Sequence, residues 1–386
     1  MIERAMAEMS ADTTILQVLP RLETGGVERG TVEMVQAIVA AGATALVASA
    51  GGRMVAAVER AGGTHIPLPL ASKNPARIWS NAARLAFLIR AADVDLVHAR
   101  SRAPAWSAWL ACRRTGARFV TTWHGVYSEN APGKRRYNAV MAKGERVIAI
   151  SRFVAAKLAA RYALEPARLR IIPRGVDATV FDPARVSPGR LVELAGAWGL
   201  PDGAPIVLLP ARLTRWKGHT VLIEALARLA RQDAVCVLVG ADTGKARFKA
   251  HLLGLAQSLG VADRLRLVGH CEDMPAALLL ADVVVNPSIE PEPFGRTVIE
   301  AQAMGRPVVV TDHGGMAETV EHLVTGWRVP PRDPAALAHA IDAALRLSGA
   351  DRAALGDRAR ASVCQHYTTA AMQAATIGVY RELLDA

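Results

Sequence analysis

The sequence predicts an α/β protein made of two doubly wound parallel sheets, and three observations lead there. Short apolar runs recur along the chain and alternate with amphipathic helical stretches, the pattern of strands buried on both faces and joined by crossover helices. At 386 residues the chain is longer than one hydrophobic core ordinarily serves. Near Pro173 the alternation gives way to Arg174-Gly175-Val176-Asp177, Phe181-Asp182-Pro183 and Ser187-Pro188-Gly189, turn-rich sequence in which a linker is expected. The expected division is therefore 1–185, 186–367 and a final helical segment, 368–386.

Composition narrows the class. With 51% hydrophobic and 21% charged residues the chain is that of a soluble globular protein. Its four cysteines, Cys112, Cys236, Cys271 and Cys364, are far apart and form no Cys-x-x-Cys pair, which argues against a disulfide framework or a zinc site and for a reducing compartment. Met1 to Thr14 carries Glu3, Arg4, Glu8 and Asp12 without an apolar core, so it reads as a frayed tail rather than a signal peptide. The uncharged stretch Met34–Gly52 is long enough for a membrane span. It is rich in Ala and Gly, contains Gln36, Thr44 and Ser49, and splits better at Gly42 into a helix end and a strand. A cytoplasmic protein is expected. The formal charge of +11 is uneven: residues 1–190 hold 27 Lys and Arg against 14 Asp and Glu, and residues 191–386 hold 19 against 21. Such a basic half implies an anionic partner.

In the first half, Thr14–Leu19 reads as a buried strand that Gly25-Gly26 turns into a helix ending near Ala41. Further strands are expected at Thr44–Ser49, His65–Leu68, Asp95–His98, Arg118–Trp123 and Arg146–Ile150. Ligands of such sheets sit at the carboxyl ends of the strands. Gly25 and Gly26 lie at one such end, but they form neither a Walker loop nor a full Gly-x-Gly-x-x-Gly, so nucleotide hydrolysis and NAD binding lose ground. His124 lies at another, just before Gly125, and His98, Arg100 and Arg102 at a third, where they either face a second substrate or are solvated charges. Lys134-Arg135-Arg136, Arg152, Lys157, Arg161, Arg168 and Arg170 are interleaved with apolar positions as on amphipathic helices, and no nucleic-acid signature accompanies them.

In the second half, Ile206–Leu209 is a buried strand followed by Arg212-Leu213-Thr214-Arg215-Trp216-Lys217-Gly218. Arg212 and Lys217 flank that short loop, where two fixed cations suit the phosphates of a diphosphate. Strands are expected at Val235–Val239, Leu265–Val268 and Ala281–Val285, the last stopped by Asn286-Pro287-Ser288. Pro293 suits a helix first turn, and Phe294–Met304 has apolar residues at Val298, Ile299, Ala301 and Met304. Gly305 then leads to the strand Pro307–Val310, and the chain is helical beyond Asp333. Glu292 and Glu300 bracket the unpaired amides of that helix start. An acid there is ordinarily a cap, but acid, amides and acid in this order can read a sugar, a diphosphate and a ribose, with Gly295 allowing close approach to the backbone.

Glu292-Pro293-Phe294-Gly295, Glu300-Ala301, Gly305-Arg306-Pro307-Val308, Gly314-Gly315 and Glu318 together resemble the donor-binding segment of the retaining GT-B glycosyltransferases of family GT4, whose signature is a Glu-x7-Glu pair. Arg212-Leu213 with Lys217-Gly218 is similar to that family's phosphate motif, with Ala211 in place of its first glycine. Pro173-Arg174-Gly175-Val176-Asp177 resembles the segment that closes its first domain, and Gly25-Gly26 its glycine loop. The resemblance implies two facing Rossmann-like domains and a last helix, about Thr368–Leu384, that crosses back to the first. It implies a nucleotide-diphosphate sugar as donor, with no metal and no other cofactor. Glu292 would contact the transferred hexosyl group, Glu300 the ribose, Phe294, Gly295, Arg296, Gly25 and Gly26 the rest of the donor, and His124 the reacting sugar. Retention by front-face attack needs no dedicated nucleophile. The acceptor would be a glycan or lipid-linked molecule, anionic to suit the basic half, reached at the inner face of the plasma membrane, and nucleic acid would not be a partner. The sequence most resembles bacterial transferases of lipopolysaccharide core or envelope glycans. A nucleotide-sugar epimerase and a non-catalytic anionic-surface binder are the alternatives.

Overall fold

The computed structural model describes residues 9–386 apart from Thr24, Ser128, Asp242, Thr243 and Lys245. The expected frayed tail thus lies largely outside the described residues. The chain divides into two compact units, Met1–Arg174 with Thr369–Ala386, and Gly175–Thr368. The break falls earlier than the 185/186 boundary expected from the turn-rich stretch. Val176 donates its amide to the Tyr367 carbonyl at 2.9 Å and bridges Thr368, so the turns after Arg174 already belong to the second unit.

The first unit follows strand–helix alternation: β1 (Thr14–Val18), α1 (Gly26–Ala40), β2 (Thr44–Ser49), α2 (Val55–Arg60), β3 (Thr64–Pro67), α3 (Pro75–Ala91), β4 (Leu96–Ala99), α4 (Arg102–Thr115), β5 (Arg118–Trp123), α5 (Lys134–Asn138), β6 (Arg146–Ala149), α6 (Arg152–Tyr162) and β7 (Leu169–Ile171). The strands are all parallel, in the order β3-β2-β1-β4-β5-β6-β7. Every residue of β1 is buried, as a central strand covered on both faces requires. Local signals start and stop the helices. Asn74 accepts from the amides of Ala76 at 2.9 Å and Arg77 at 3.4 Å, with Pro75 opening α3.

The second unit runs α7 (Pro188–Ala197), β8 (Ile206–Pro210), α8 (His219–Leu226), β9 (Val235–Val239), α9 (Ala246–Ser258), β10 (Leu265–Gly269), α10 (Met274–Leu280), β11 (Val283–Asn286), α11 (Arg296–Ala303), β12 (Val308–Thr311), β13 (Trp327–Val329), α12 (Pro334–Leu345) and α13 (Gly349–His366). Its parallel sheet has the order β10-β9-β8-β11-β12-β13, the Rossmann arrangement. Val207, Leu209, Leu222, Leu238, Val285 and Ile341 pack in one core beneath it.

A last helix, α14 (Thr369–Leu384), returns to the first unit. Its Met372, Ile377, Tyr380 and Leu383 join the core of β1, β2 and β4. Tyr380 Oη lies 2.6 Å from His98 Nδ1, and Gln373 Nε2 donates to the Glu33 carbonyl at 2.6 Å. Glu382 pairs with Arg146 at 2.7 Å and with Arg170. The first unit is therefore closed by residues from the far end of the chain.

Candidate active site

In a doubly wound sheet the crevice for a ligand opens where the strand order reverses, beyond the carboxyl ends of two neighbouring strands that run off in opposite directions. In the second unit that point lies between β8 and β11. Lys217 and Arg212 follow β8, and Glu292 follows β11. Lys217 Nζ sits 2.7 Å from Glu292 Oε1, with the two side chains only 14% and 8% exposed. The Ser288 hydroxyl, fully buried, donates to the same carboxylate oxygen. Arg212 is exposed, and no ion pair engages it among the described residues.

Backbone packing fixes the loops that carry these groups. Gly218 has φ +74°, and a Cβ there would meet the Pro287 carbonyl oxygen at 1.8 Å, so the β8 and β11 loops touch through bare backbone. Gly314, φ +73°, plays the same part against Glu292: its Cβ would lie 2.5 Å from the Glu292 carbonyl oxygen, which accepts the Gly315 amide at 2.7 Å. Thr311 Oγ1 and His313 Nε2 both meet the Ser288 carbonyl, at 2.9 and 2.8 Å. Three strand ends are thus tied into one frame around the Lys217–Glu292 pair.

Pro293 stands in this frame and not in the first turn of α11 as expected. The loop is held extended by the Glu292–Gly314 bridge, and the helix starts only after Gly295. An added Cβ at Gly295 would meet Met316 at 2.7 Å. Phe294 is buried, edge-on to the Tyr367 ring at 5.9 Å, so what it offers a ligand is main chain. Arg296 Nε lies 3.4 Å from Glu300 Oε1, one turn along α11, and both side chains are mostly buried. Behind the loop of Lys217, His219 is wholly buried against Phe248. Burial pushes its pKa down to about 4, with the nearby carbonyls of Ala211 and Thr214 opposing the shift.

The first unit has its own switch point, between β1 and β4. Gly25 and Gly26 follow β1, with Gly25 extended and Gly26 the first residue of α1, where a Cβ would meet nothing. Beside them the structure brings two buried arginines that the motif reading did not single out as site residues together. Arg174, after β7, donates to the Gly26 carbonyl, and its guanidinium occupies the space where a Cβ on Gly30 would stand. Arg100, after β4, donates to Gln17 Oε1 at 3.2 Å. The signal for Arg174 was Gly30, one helical turn beyond Gly26, but only the fold shows what that gap admits. His124, after β5, is half-buried, and its Nε2 is shut from solvent without a hydrogen-bond partner among the described residues. Burial, then Arg100, Arg174 and His98, hold its pKa well below the ordinary value, so it is a neutral imidazole with a free polar edge. The stretch Lys134–Arg136 lies on α5, whose last residue, Asn138, accepts from Arg102 Nη1 at 2.9 Å through its side-chain oxygen.

Residues 24–180 match the family model described as Glycosyltransferase Family 4, and residues 193–362 the one described as Glycosyl transferases group 1. The chain is similar to proteins named D-inositol 3-phosphate glycosyltransferase. That of Salinispora arenicola is 33% identical over 71% of this chain and 66% of its own length, and that of Xylanimonas cellulosilytica 33% identical over 69% and 67%. For the first four such relatives the match spans 57% to 66% of their length. Among solved structures, a glycosyltransferase from Rickettsia africae superposes with a TM-score of 0.90 at 39% identity, covering 96% of this chain and 98% of that one. Anabaena Alr3699/HepE in complex with UDP-glucose shares the fold with a TM-score of 0.83 at 23% identity, covering 96% and 99%.

Proposed function

The chain belongs to the glycosyl transferases group 1, glycosyltransferase family 4, and from that membership we propose that it moves a hexosyl group from a nucleotide-diphosphate sugar to a phosphate-bearing glycan or lipid-linked acceptor, with retention of configuration. The observation that carries the reading is the Lys217–Glu292 pair held at the β8/β11 switch point, a cation and an acid fixed side by side at the head of α11. Arg212, Lys217 and the first amides of α11 stabilise the departing diphosphate by preorganised charge. Glu292 positions Lys217 and accepts hydrogen bonds from the sugar hydroxyls, and Glu300 accepts those of the ribose. In the transfer step the bond from the anomeric carbon to the phosphate oxygen breaks while the acceptor oxygen bonds to the same face, and the leaving phosphate takes the acceptor's proton. For His124, in the first unit, we propose a contact with substrate through its free neutral edge.

The names of the relatives support an acceptor that carries a phosphate, and the basic first half supports one presented at the cytoplasmic face of a membrane, as in envelope glycan assembly. That every named relative above is a glycosyltransferase favours transfer over epimerisation. The test is a thermal-shift screen of nucleotide sugars followed by product analysis with candidate acceptors, since a ligand of the folded state raises stability by mass action. One nucleotide sugar should stabilise the chain and yield an α- or β-glycoside of unchanged configuration. A stereoisomer of the donor formed without acceptor, or no response to any nucleotide sugar, would refute the reading.

A further inference from the structure

Resting on the membrane-presented acceptor proposed above, we propose that the outer face of α3 and α4 in the first unit docks on an anionic bilayer. The two helices pack on each other, and neither carries a carboxylate. Between residues 61 and 127 the chain holds nine Lys and Arg against Asp93 and Asp95 alone. On α3, Phe87 stands 74% exposed in the middle of a solvent-facing stripe with the small residues Ala76, Ser80 and Ala83, and Trp79 is 58% exposed at its edge. No other Phe, Trp or Tyr side chain among the described residues is as open as these two.

Cations sit directly on the tryptophans of this face. The Arg114 guanidinium lies 4.8 Å from the Trp79 ring centroid, and Arg90 donates to the Arg114 carbonyl at 3.0 Å. On α4, the half-buried Trp109 has the Arg113 guanidinium 5.2 Å and Lys143 Nζ 4.5 Å from its ring centroid. Exposed rings flanked by basic residues suit the boundary between lipid headgroups and acyl chains, where the ring enters apolar surroundings and the cation meets phosphate. The same face on a second copy carries the same sign of charge and repels it, whereas an anionic bilayer is complementary.

The surface differs from the Lys134-Arg135-Arg136 run that charge alone suggests. Arg135 spends a donor on the Arg161 carbonyl at 2.9 Å, and with Arg136 and Arg161 it borders a groove of about 510 Å³ floored by Ala139, Ala160 and Ala163. Its one aromatic lining residue, Tyr162, is half-buried and hydrogen-bonded to Glu129 at 2.6 Å, so the groove adds attraction without insertion.

The experiment is co-sedimentation with phosphatidylcholine vesicles with and without about one-third phosphatidylglycerol, at low and high salt. Binding is expected only to the anionic vesicles, falling steeply with salt. Replacing Trp79→Ala and Phe87→Ala together should weaken it by roughly tenfold or more, the scale of losing two partly inserted rings. Arg113→Gln with Arg114→Gln should weaken it and flatten its salt dependence, while Lys134, Arg135 and Arg136 changed together to Gln do less than the aromatic pair. Equal binding to neutral vesicles, wild-type binding by the aromatic variant, or lipid-free self-association that Phe87→Ala abolishes would each overturn the proposal. Far-ultraviolet circular dichroism of each sample confirms folding, and the thermal response to nucleotide sugars separates the two ideas. Vesicle binding without that response refutes the transfer reading alone, and the reverse refutes only the docking surface.

Discussion

The pair of Lys217 and Glu292 makes neither residue separable from the other. Removing one partner of a largely buried ion pair leaves a charge without its counterion, so Lys217→Ala should destabilise the second unit by about 2–4 kcal/mol as well as slow transfer. Adding Glu292→Gln to that variant should recover part of the stability and none of the turnover. A double-mutant cycle in urea unfolding is expected to show a coupling of roughly 1 kcal/mol or more, and strict additivity would mean that the contact does not operate in solution. Arg212→Ala, by contrast, should leave stability unchanged and weaken nucleoside diphosphate binding, because this side chain is exposed and has no ion pair among the described residues. The residue types at these positions were legible from motif spacing, since Glu-x7-Glu and Arg…Lys-Gly lie within short stretches of chain. Their mutual contact was not, because it joins loops 75 residues apart. Arg174 escaped notice as a site residue for the same reason, meeting Gly26 from 148 residues away.

Among the elements, buried strands were the most readable, since apolar runs such as Val235–Val239 have no other stable use in so polar a setting. β7 and β13 went unread because each spans three residues with Arg170 or Arg328 at its centre, and they exist as edge strands only because a neighbour templates them. The start of α11 was displaced because a proline is compatible with the first turn of a helix but does not compel one, and the bridge from Glu292 to Gly314 competes for the same residues. That frame rests on bare backbone. Gly218→Ala should therefore cost about 2 kcal/mol or more, from its left-handed backbone and from the Pro287 carbonyl in the way, and should lower affinity for nucleotide sugars by pushing the Lys217 loop off the β11 loop. Chemical denaturation and ligand titration of this one variant read both effects, and unchanged affinity would show that the two loops are independent.

At the scale of the whole molecule, three histidines make the fold sensitive to acid, His98 and His219 wholly buried and His124 half-buried with its Nε2 shut from solvent. His98 and His124 are held well below the usual imidazole range and His219 near 4, in each case chiefly by burial. The unfolded chain binds these protons at about pH 6.5, so the neutral rings contribute full stability above that pH and lose it as the pH falls toward their folded values. His219 alone should remove on the order of 3 kcal/mol between pH 6.5 and 4. The urea midpoint is expected to drop across this window, and His219→Phe should flatten the drop. An unaltered profile would place its proton elsewhere. A chain ending at Thr368 should likewise lose the first unit, since α14 supplies Tyr380 to His98 and Glu382 to Arg146 and Arg170. Far-ultraviolet circular dichroism and proteolysis should show the second unit intact and the first open.

That closure by α14 also dictates an order of events at the ribosome. A strand-first polypeptide ordinarily folds its leading domain while the remainder is still being made. Here the leading segment emerges with its sheet complete in sequence but without the helix that covers β1 and β4, and it waits while all of Gly175–Thr368 is synthesised. The contiguous second unit is free to fold during translation, whereas the discontinuous first one finishes only after release of α14 from the exit tunnel. For that interval the apolar face that later receives Met372, Ile377 and Leu383 is the surface a chaperone would hold.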